Sequence, residues 1–563
     1  MSLDIRNLSL SLGDTRILNN VSLSVADGER VGLVGSSGSG KSMLLRAATG
    51  LLPSSAHITG SCKLGETQTV GASDDLLARL RGKYVGVVFQ QANRALNPML
   101  SVEEQISLPL RLHYQLDPQD VHRRVCLMLE KVGLASKLAS QRTFELSGGQ
   151  QQRVGIATAL ITSPRLILAD EPTTALDSVT QRDVVDMLTS LVDDMGASML
   201  FVTHDFSVLS RAAQRCYVLD SGRLVDSADV QDLLKNPQVA STKQLVEAAR
   251  KLTLRVTQCD TFGSEKRYEN SSENSNEKRY ENNESYENNE NSNESSEILL
   301  SAKNIHVTLG HERNRTEILK GVDLSLRVGE SLAIIGGSGS GKTTLIRAIL
   351  GLQKISEGSV SYDGKIVNSA ESSADFSAKS SAKSSANIRK ETAIVFQHPF
   401  AALDPRWTVR SSVAEPLNIW KKSLQLDDAT INKRVDDVLK LVGLNPNDFA
   451  EKYPHELSGG QAQCVAIARA LINNPRVLVA DEPMSAIDVA ERTRILDAFA
   501  AIRKDRPKMS CIFVSHDLGM IQHLAERVIV LKEGKIVESG SVADVLDHPQ
   551  KDYTRALIQA SML

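Results

Sequence analysis

Short apolar runs alternate with longer stretches of helical period along most of this chain. Residues 31–34, 166–169 and 199–203 have the length of buried strands, and so do residues 332–335, 477–480 and 511–515. The first run of each set opens into a glycine-rich turn and then a helical stretch, residues 42–48 or 343–350. A second helical pattern starts behind Ser147 and stops near Pro164, and its counterpart lies between Ser458 and Pro475. Strand, loop and helix in this order predict an α/β fold built on a mainly parallel central sheet.

The two sets are copies of one unit. GSSGSGKS at 35–42 answers GGSGSGKT at 336–343, and LSGGQ occurs at 146–150 and again at 457–461. LILADE at 166–171 matches VLVADE at 477–482, and THD at 203–205 matches SHD at 515–517. The offset is 301 residues at the first motif and 311 at the second, so the later copy carries an insertion between them. The serine- and alanine-rich stretch 369–387 contributes to it and is expected to be a flexible surface insert. The expected organisation is a first domain at 1–258, a linker at 259–297 and a second domain at 298–563.

Composition sharpens the linker. Residues 264–297 hold ten Glu against four basic residues and no Val, Ile, Leu or Phe, which predicts a disordered acidic tether. The whole chain of 563 residues has a net charge of −3; without the −6 of the tether the two domains together are at +3. The near-neutral balance and 4% aromatic content disfavour a nucleic-acid binder. Six scattered cysteines, none at C-x-x-C spacing, give no zinc or redox motif and fit a reducing compartment. No run approaches the ~18–20 apolar residues that span a bilayer. The amino terminus has no signal-peptide pattern, so the expectation is a protein of the cytoplasm.

The motifs carry phosphate chemistry. In G-x-x-x-x-G-K-[ST] the glycines let successive N–H groups turn toward phosphate oxygens at a helix start. The candidate phosphate ligands are Gly35, Ser36, Ser37, Gly38, Ser39, Gly40, Lys41 and Ser42, and Gly336, Gly337, Ser338, Gly339, Ser340, Gly341, Lys342 and Thr343. Lys41 and Lys342 are placed to reach the β- and γ-phosphates, and the Ser42 and Thr343 hydroxyls to reach Mg²⁺. Asp170 and Asp481 close buried strands, where they can hold the Mg²⁺ shell; the adjacent Glu171 and Glu482 can polarise an attacking water. In LSGGQ, Ser147 and Ser458 are N-caps, and the paired glycines that include Gly149 and Gly460 open the helix start as a second anion site. A phosphate loop and a separate anion-binding helix start suggest a nucleotide held between two domains.

Both copies resemble ATP-binding-cassette nucleotide-binding domains, with the motifs in the family's order over nearly the whole chain outside the linker. The resemblance implies two P-loop NTPase domains, each with a mainly parallel sheet, an antiparallel β subdomain and a helical signature subdomain. It implies that Gln90 and Gln397, in Val-Phe-Gln, touch Mg²⁺ and the attacking water. It further implies that His204 and His516 contact the γ-phosphate and that Asp177 and Asp488 cross to the partner domain. In the implied head-to-tail intramolecular dimer, the first phosphate loop works with Ser458 and Gly460 and the second with Ser147 and Gly149. Both catalytic glutamates are present, so both sites are expected to hydrolyse ATP. Two departures stand out. Leu12 and Leu309 occupy the likeliest places of the family's adenine-stacking aromatic, and Cys464 stands where Arg153 stands in the first copy.

A finer resemblance lies at Phe396 to Arg406 (FQHPFAALDPR), with a looser match at Leu96 to Val102 and another at residues 548–557. These look like the oligopeptide, dipeptide and nickel importer ATPases. They imply an energy-coupling ATPase on the cytoplasmic face of the membrane, working with two integral permease subunits and an extracytoplasmic solute-binding protein. The solute would be a peptide or a nickel or other metal chelate. The cysteine-rich carboxyl extension of many members has no counterpart here, so no iron–sulfur cluster is expected. The rival readings are a twin-cassette ribosome-associated ATPase, disfavoured by the acidic linker, and a vitamin or cobalt importer ATPase.

Overall fold

The computed structural model describes residues 1–36, 38–173, 176–254, 297–310, 315–369, 388, 390–485 and 487–561. All of the predicted tether but Glu297 and all of the serine-rich insert but Ser369 lie outside these residues, as does Cys259.

Each half is built from the same two sheets. In the first half, strands Arg30–Val34, Ser198–Val202, Leu166–Asp170 and Val85–Val88 lie parallel side by side. Arg215–Asp220 extends them in parallel on the other flank, and Arg223–Asp229 closes that edge antiparallel. Thr392–Val395, Val477–Asp481, Ser510–Val514, Ser331–Ile335, Arg527–Lys532 and Lys535–Ser541 repeat the order in the second half. The apolar runs are continuous because parallel strands are covered on both faces. A four-stranded antiparallel sheet packs beside each, led by Leu3–Leu12 and Thr15–Val25 in one half and by Ile298–Leu309 and Thr316–Arg327 in the other.

Local chemistry sets the ends of these elements. The strands expected at 199–203 and 511–515 run instead over Ser198–Val202 and Ser510–Val514. Thr203 and Ser515 leave the ladder, and their hydroxyls accept from the N–H of Asp205 (3.0 Å) and Asp517 (2.9 Å). The helices after the glycine turns begin one residue earlier than expected, as Lys41–Thr49 and Lys342–Ile349. Gly40 and Gly341 cap them with φ at 103°, a left-handed conformation that glycine adopts without strain. Ser147 caps Gly148–Leu160 through a capping box with Gln150, and Ser458 does the same with Gln461 for Gly459–Leu471. Glu29 accepts from Arg215 Nε at 2.9 Å and Nη2 at 3.1 Å, joining the turn before Arg30–Val34 to the neighbouring strand; Glu330 and Arg527 repeat the pair.

The halves exchange their closing helices, each of which also keeps buried contacts with its own half. Ala240–Leu252 of the first half packs on Val489–Asp505 and Leu518–Leu524 of the second. Leu252 and Leu254 are buried in the second half's core. Lys251 pairs with Asp497 at 2.9 Å, and Gln522 donates to the Thr253 carbonyl at 2.9 Å. Gly519 faces the Leu252 carbonyl so closely that a Cβ there would overlap it. In return, Asp552–Ser561 packs on Ser178–Asp194 of the first half. Among the described residues no helix is long and apolar enough to cross a membrane.

Candidate functional site

Each phosphate loop lies between a central strand and the helix that begins at its lysine. Lys41 Nζ donates to the carbonyls of Gly35 and Ser36, both at 2.8 Å, and Lys342 to those of Gly336 (2.8 Å) and Gly337 (2.9 Å). The ammonium therefore spans its own loop and ties its turn together. Burial pushes both lysines below the ordinary lysine range, against the opposing pull of neighbouring carboxylates. Of the first loop's predicted ligands, Ser37 lies outside the described residues.

The acidic pairs close the strands beside the loops. Ser42 Oγ donates to Asp170 at 3.1 Å. Burial raises Asp170 and Asp481 above the usual carboxylate range, and hydrogen bonds from Ser42 and Thr343 offset part of that. Glu171 and Glu482 follow with φ of 44° and 47°, a conformation that costs a non-glycine residue about 1 kcal/mol or more. Their N–H groups donate to the carbonyls of Val202 (3.0 Å) and Val514 (2.9 Å) on the next strand, which fixes the bend. The bend brings three distant residues together. Gln90 Nε2 donates to Glu171 at 2.7 Å and His204 Nδ1 stands 3.2 Å from the same carboxylate. Gln397 Nε2 donates to Glu482 at 2.7 Å and His516 Nδ1 stands 3.5 Å from it. Burial alone would raise Glu482, but His516 and Lys342 hold it below its ordinary range.

The two sites also reach across the molecule. Asp177, the N-cap of Ser178–Asp194, accepts through Oδ2 from the Ser338 N–H of the second phosphate loop at 3.1 Å. Ser178 Oγ donates to the His516 carbonyl at 3.1 Å. One cleft is thus walled by Asp177, Lys342, Gln397, Glu482 and His516, with Leu309 and Ile318 as its apolar side. Asp488 acts reciprocally on Lys41, whose ammonium feels its charge. At the first site Ser42, Gln90 and Asp170 share a cleft.

Some features were not expected from the sequence. Tyr553 accepts from the Gly337 N–H at 2.8 Å, and Ile318 joins Leu309 on the second cleft. Tyr553 lies in the segment 548–557, which carried a resemblance but no role. Leu12 ends the strand Leu3–Leu12 and is partly exposed. Ser147 and Ser458 make their hydrogen bonds within their own halves. The Arg153/Cys464 difference is one of packing: Arg153 donates to the Val132 carbonyl at 2.7 Å, whereas Cys464 is buried and its thiol is pushed up to about 12.

Comparison with known proteins gives the family. The family model described as ABC transporter matches residues 18–174 and 319–485. The peptidoglycan transport ATP-binding protein YejF of Agrobacterium fabrum is 32% identical over 99% of this chain and 96% of its own length. The oligopeptide transport ATP-binding protein OppD of Mycobacterium tuberculosis is 33% identical over 96% of this chain and 95% of its own. A solved structure, cbiO1 from Clostridium perfringens, described as part of the ABC transporter complex cbiONQ, is 29% identical. It covers 45% of this chain and 91% of its own, with a TM-score of 0.38. Two phosphate loops, two Gln–Glu–His clusters and two family matches in one chain place this protein in the ABC transporter family, as a tandem of two ATP-binding, ATP-hydrolysing cassettes.

Proposed function

We propose that this chain is the ATP-hydrolysing, energy-coupling subunit of an importer for peptide-like solutes. The observation that carries the reading is the twin Gln–Glu–His cluster, each beside a phosphate loop, the second of which a residue of the other half touches. The names of relatives matched over 89–96% of their own length point to oligopeptide, peptidoglycan and glutathione cargo.

The two cassettes are residues 1–258 and 298–563, joined by the acidic segment 259–297. ATP binds at both phosphate loops. The first site takes Ser458 and Gly460 from the second cassette, and the second takes Ser147 and Gly149 from the first. Ser42, Asp170 and Gln90, which share one cleft, and their counterparts Thr343, Asp481 and Gln397 all offer oxygen, which fits Mg²⁺. When bound, Mg²⁺ neutralises charge on the phosphates. Glu171 and Glu482 accept the proton of the attacking water, the glutamines orient that water, and His204 and His516 steady the glutamates and the γ-phosphate.

Two permease subunits dock on the surfaces around Gln90–Val102 and Gln397–Val409, at the cytoplasmic face of the membrane. A solute-binding protein delivers the cargo from the other side. Supporting this, Met99 (68% exposed), Phe400 (48%) and Trp407 (39%) leave apolar surface open there. Uptake of labelled di- and oligopeptides in cells lacking the chain tests the reading: peptide uptake lost and restored by the intact gene supports it. Unchanged peptide uptake removes peptide cargo from the assignment.

A further inference from the structure

The two signature helices start alike and are covered differently. In the first cassette Ser147 is exposed and Gly149 is partly open, its nearest neighbour being a methyl of Thr180, which would lie 3.3 Å from a Cβ on the glycine. In the second, Gly460 is buried, and a Cβ there would overlap the Glu491 carboxylate. Ser458 Oγ donates to Glu491 Oε1 at 3.4 Å. Glu491 and Thr180 hold the same place, three residues after the N-cap aspartates Asp488 and Asp177. An anion of the chain itself therefore covers one of two otherwise equivalent helix starts.

We propose that Glu491 is a positioning residue that sets the ATP affinity of the first site; this rests on the head-to-tail pairing of the proposed function. The Glu491 carboxylate occupies the place that the γ-phosphate needs on the second signature helix. It has to swing aside before ATP on the first phosphate loop is clamped. Its exit is prepared: Arg494, exposed on the next turn of the same helix, pairs with it at 3.1 Å. Thr180 imposes no such competition on the second site. A second difference lies at the second phosphate loop, which Asp177 touches. Ser178 ties the first cassette's crossing loop to His516, whereas its counterpart Val489 has no hydroxyl to offer.

The test is site-resolved ATP occupancy in the full chain carrying Glu171→Gln and Glu482→Gln, so that nucleotide is not consumed. Photolabelling with azido-ATP, followed by mass spectrometry of each cassette's peptides, gives a half-saturation for each phosphate loop. The first loop should half-saturate at about tenfold higher ATP than the second. Glu491→Thr and the near-isosteric Glu491→Gln should both close that gap, and Thr180→Glu should weaken the second loop alone. A purely structural role for Glu491 predicts no rescue by Gln. Equal half-saturations at the outset, or a gap that survives Glu491→Gln, overturn the proposal. Gly460→Asp separates the two levels: it should abolish labelling of the first loop and leave the second unchanged. Loss at the second loop instead would bring down the head-to-tail pairing itself.

Discussion

Asp177 of the first cassette holds the Ser338 N–H of the second at 3.1 Å, so a carboxylate already sits on an amide that a phosphate oxygen would take. Asp177→Asn keeps the helix cap and an acceptor oxygen but removes the charge. Removing a negative charge beside the nucleotide should tighten ATP binding at the second loop by roughly threefold or more, read by equilibrium binding of a fluorescent ATP analogue. Weaker binding would show that the aspartate assists the nucleotide rather than competing with it.

Glu171 and Glu482 are each held between a glutamine and a histidine, and neither site lacks a part. Single Glu171→Gln and Glu482→Gln substitutions should each cut steady-state phosphate release by about 100-fold. A variant that keeps full activity would mean that the site it alters is dispensable.

The Glu29–Arg215 pair makes a pH prediction. Burial works against the charged Glu29, but the Arg215 and Ala26 hydrogen bonds outweigh it and hold the carboxyl below its ordinary 4.5. Stability from this pair is therefore full above 4.5 and is lost as pH falls through the depressed folded value. Glu29→Gln should lower the thermal midpoint at pH 7, and the difference from the parent should shrink in acid. Scanning calorimetry across pH 3–7 reads both; a difference that grows in acid would reverse the sign.

Leu252 and Leu254 belong by sequence to the first cassette and by packing to the second. Replacing either by Ala should cost about 2–4 kcal/mol, measured by urea unfolding. The loss should come with greater protease access to Leu518–Leu524, the helix they cover. Unchanged protection there would indicate that the exchanged helix is not what shields that surface.

Trp407 and Phe400 stand exposed beside the second glutamine loop. Trp407→Glu and Phe400→Glu should abolish peptide uptake while leaving ATP binding within about twofold of the parent. Loss of nucleotide binding in these variants would move the residues from a docking surface to a structural role.

Much of this was legible along the chain because local rules decided it. The parallel strands announced themselves as unbroken apolar runs, and Ser147 and Ser458 as caps before helical patterns. The Gln90–Glu171–His204 cluster was not legible from spacing. Its members are 81 and 33 residues apart, and only the resemblance grouped them before the bend at Glu171 brought them into contact. The exchange of closing helices was hidden for a related reason: periodicity shows that a helix such as Ala240–Leu252 has an apolar face, not which body that face meets. Glu491 was invisible because its effect depends on being three residues past one motif and against the start of another.

The exchanged helices bear on how this molecule could have diversified. A cassette that pairs with a second copy of itself must keep both faces compatible, so every change appears twice. Here the partners come in a fixed ratio from a single gene. Each contributes a helix that the other needs. A substitution such as Val489 or Glu491 is then confined to one of the two sites. The same covalent pairing that guarantees assembly also releases the duplicated halves from having to remain interchangeable.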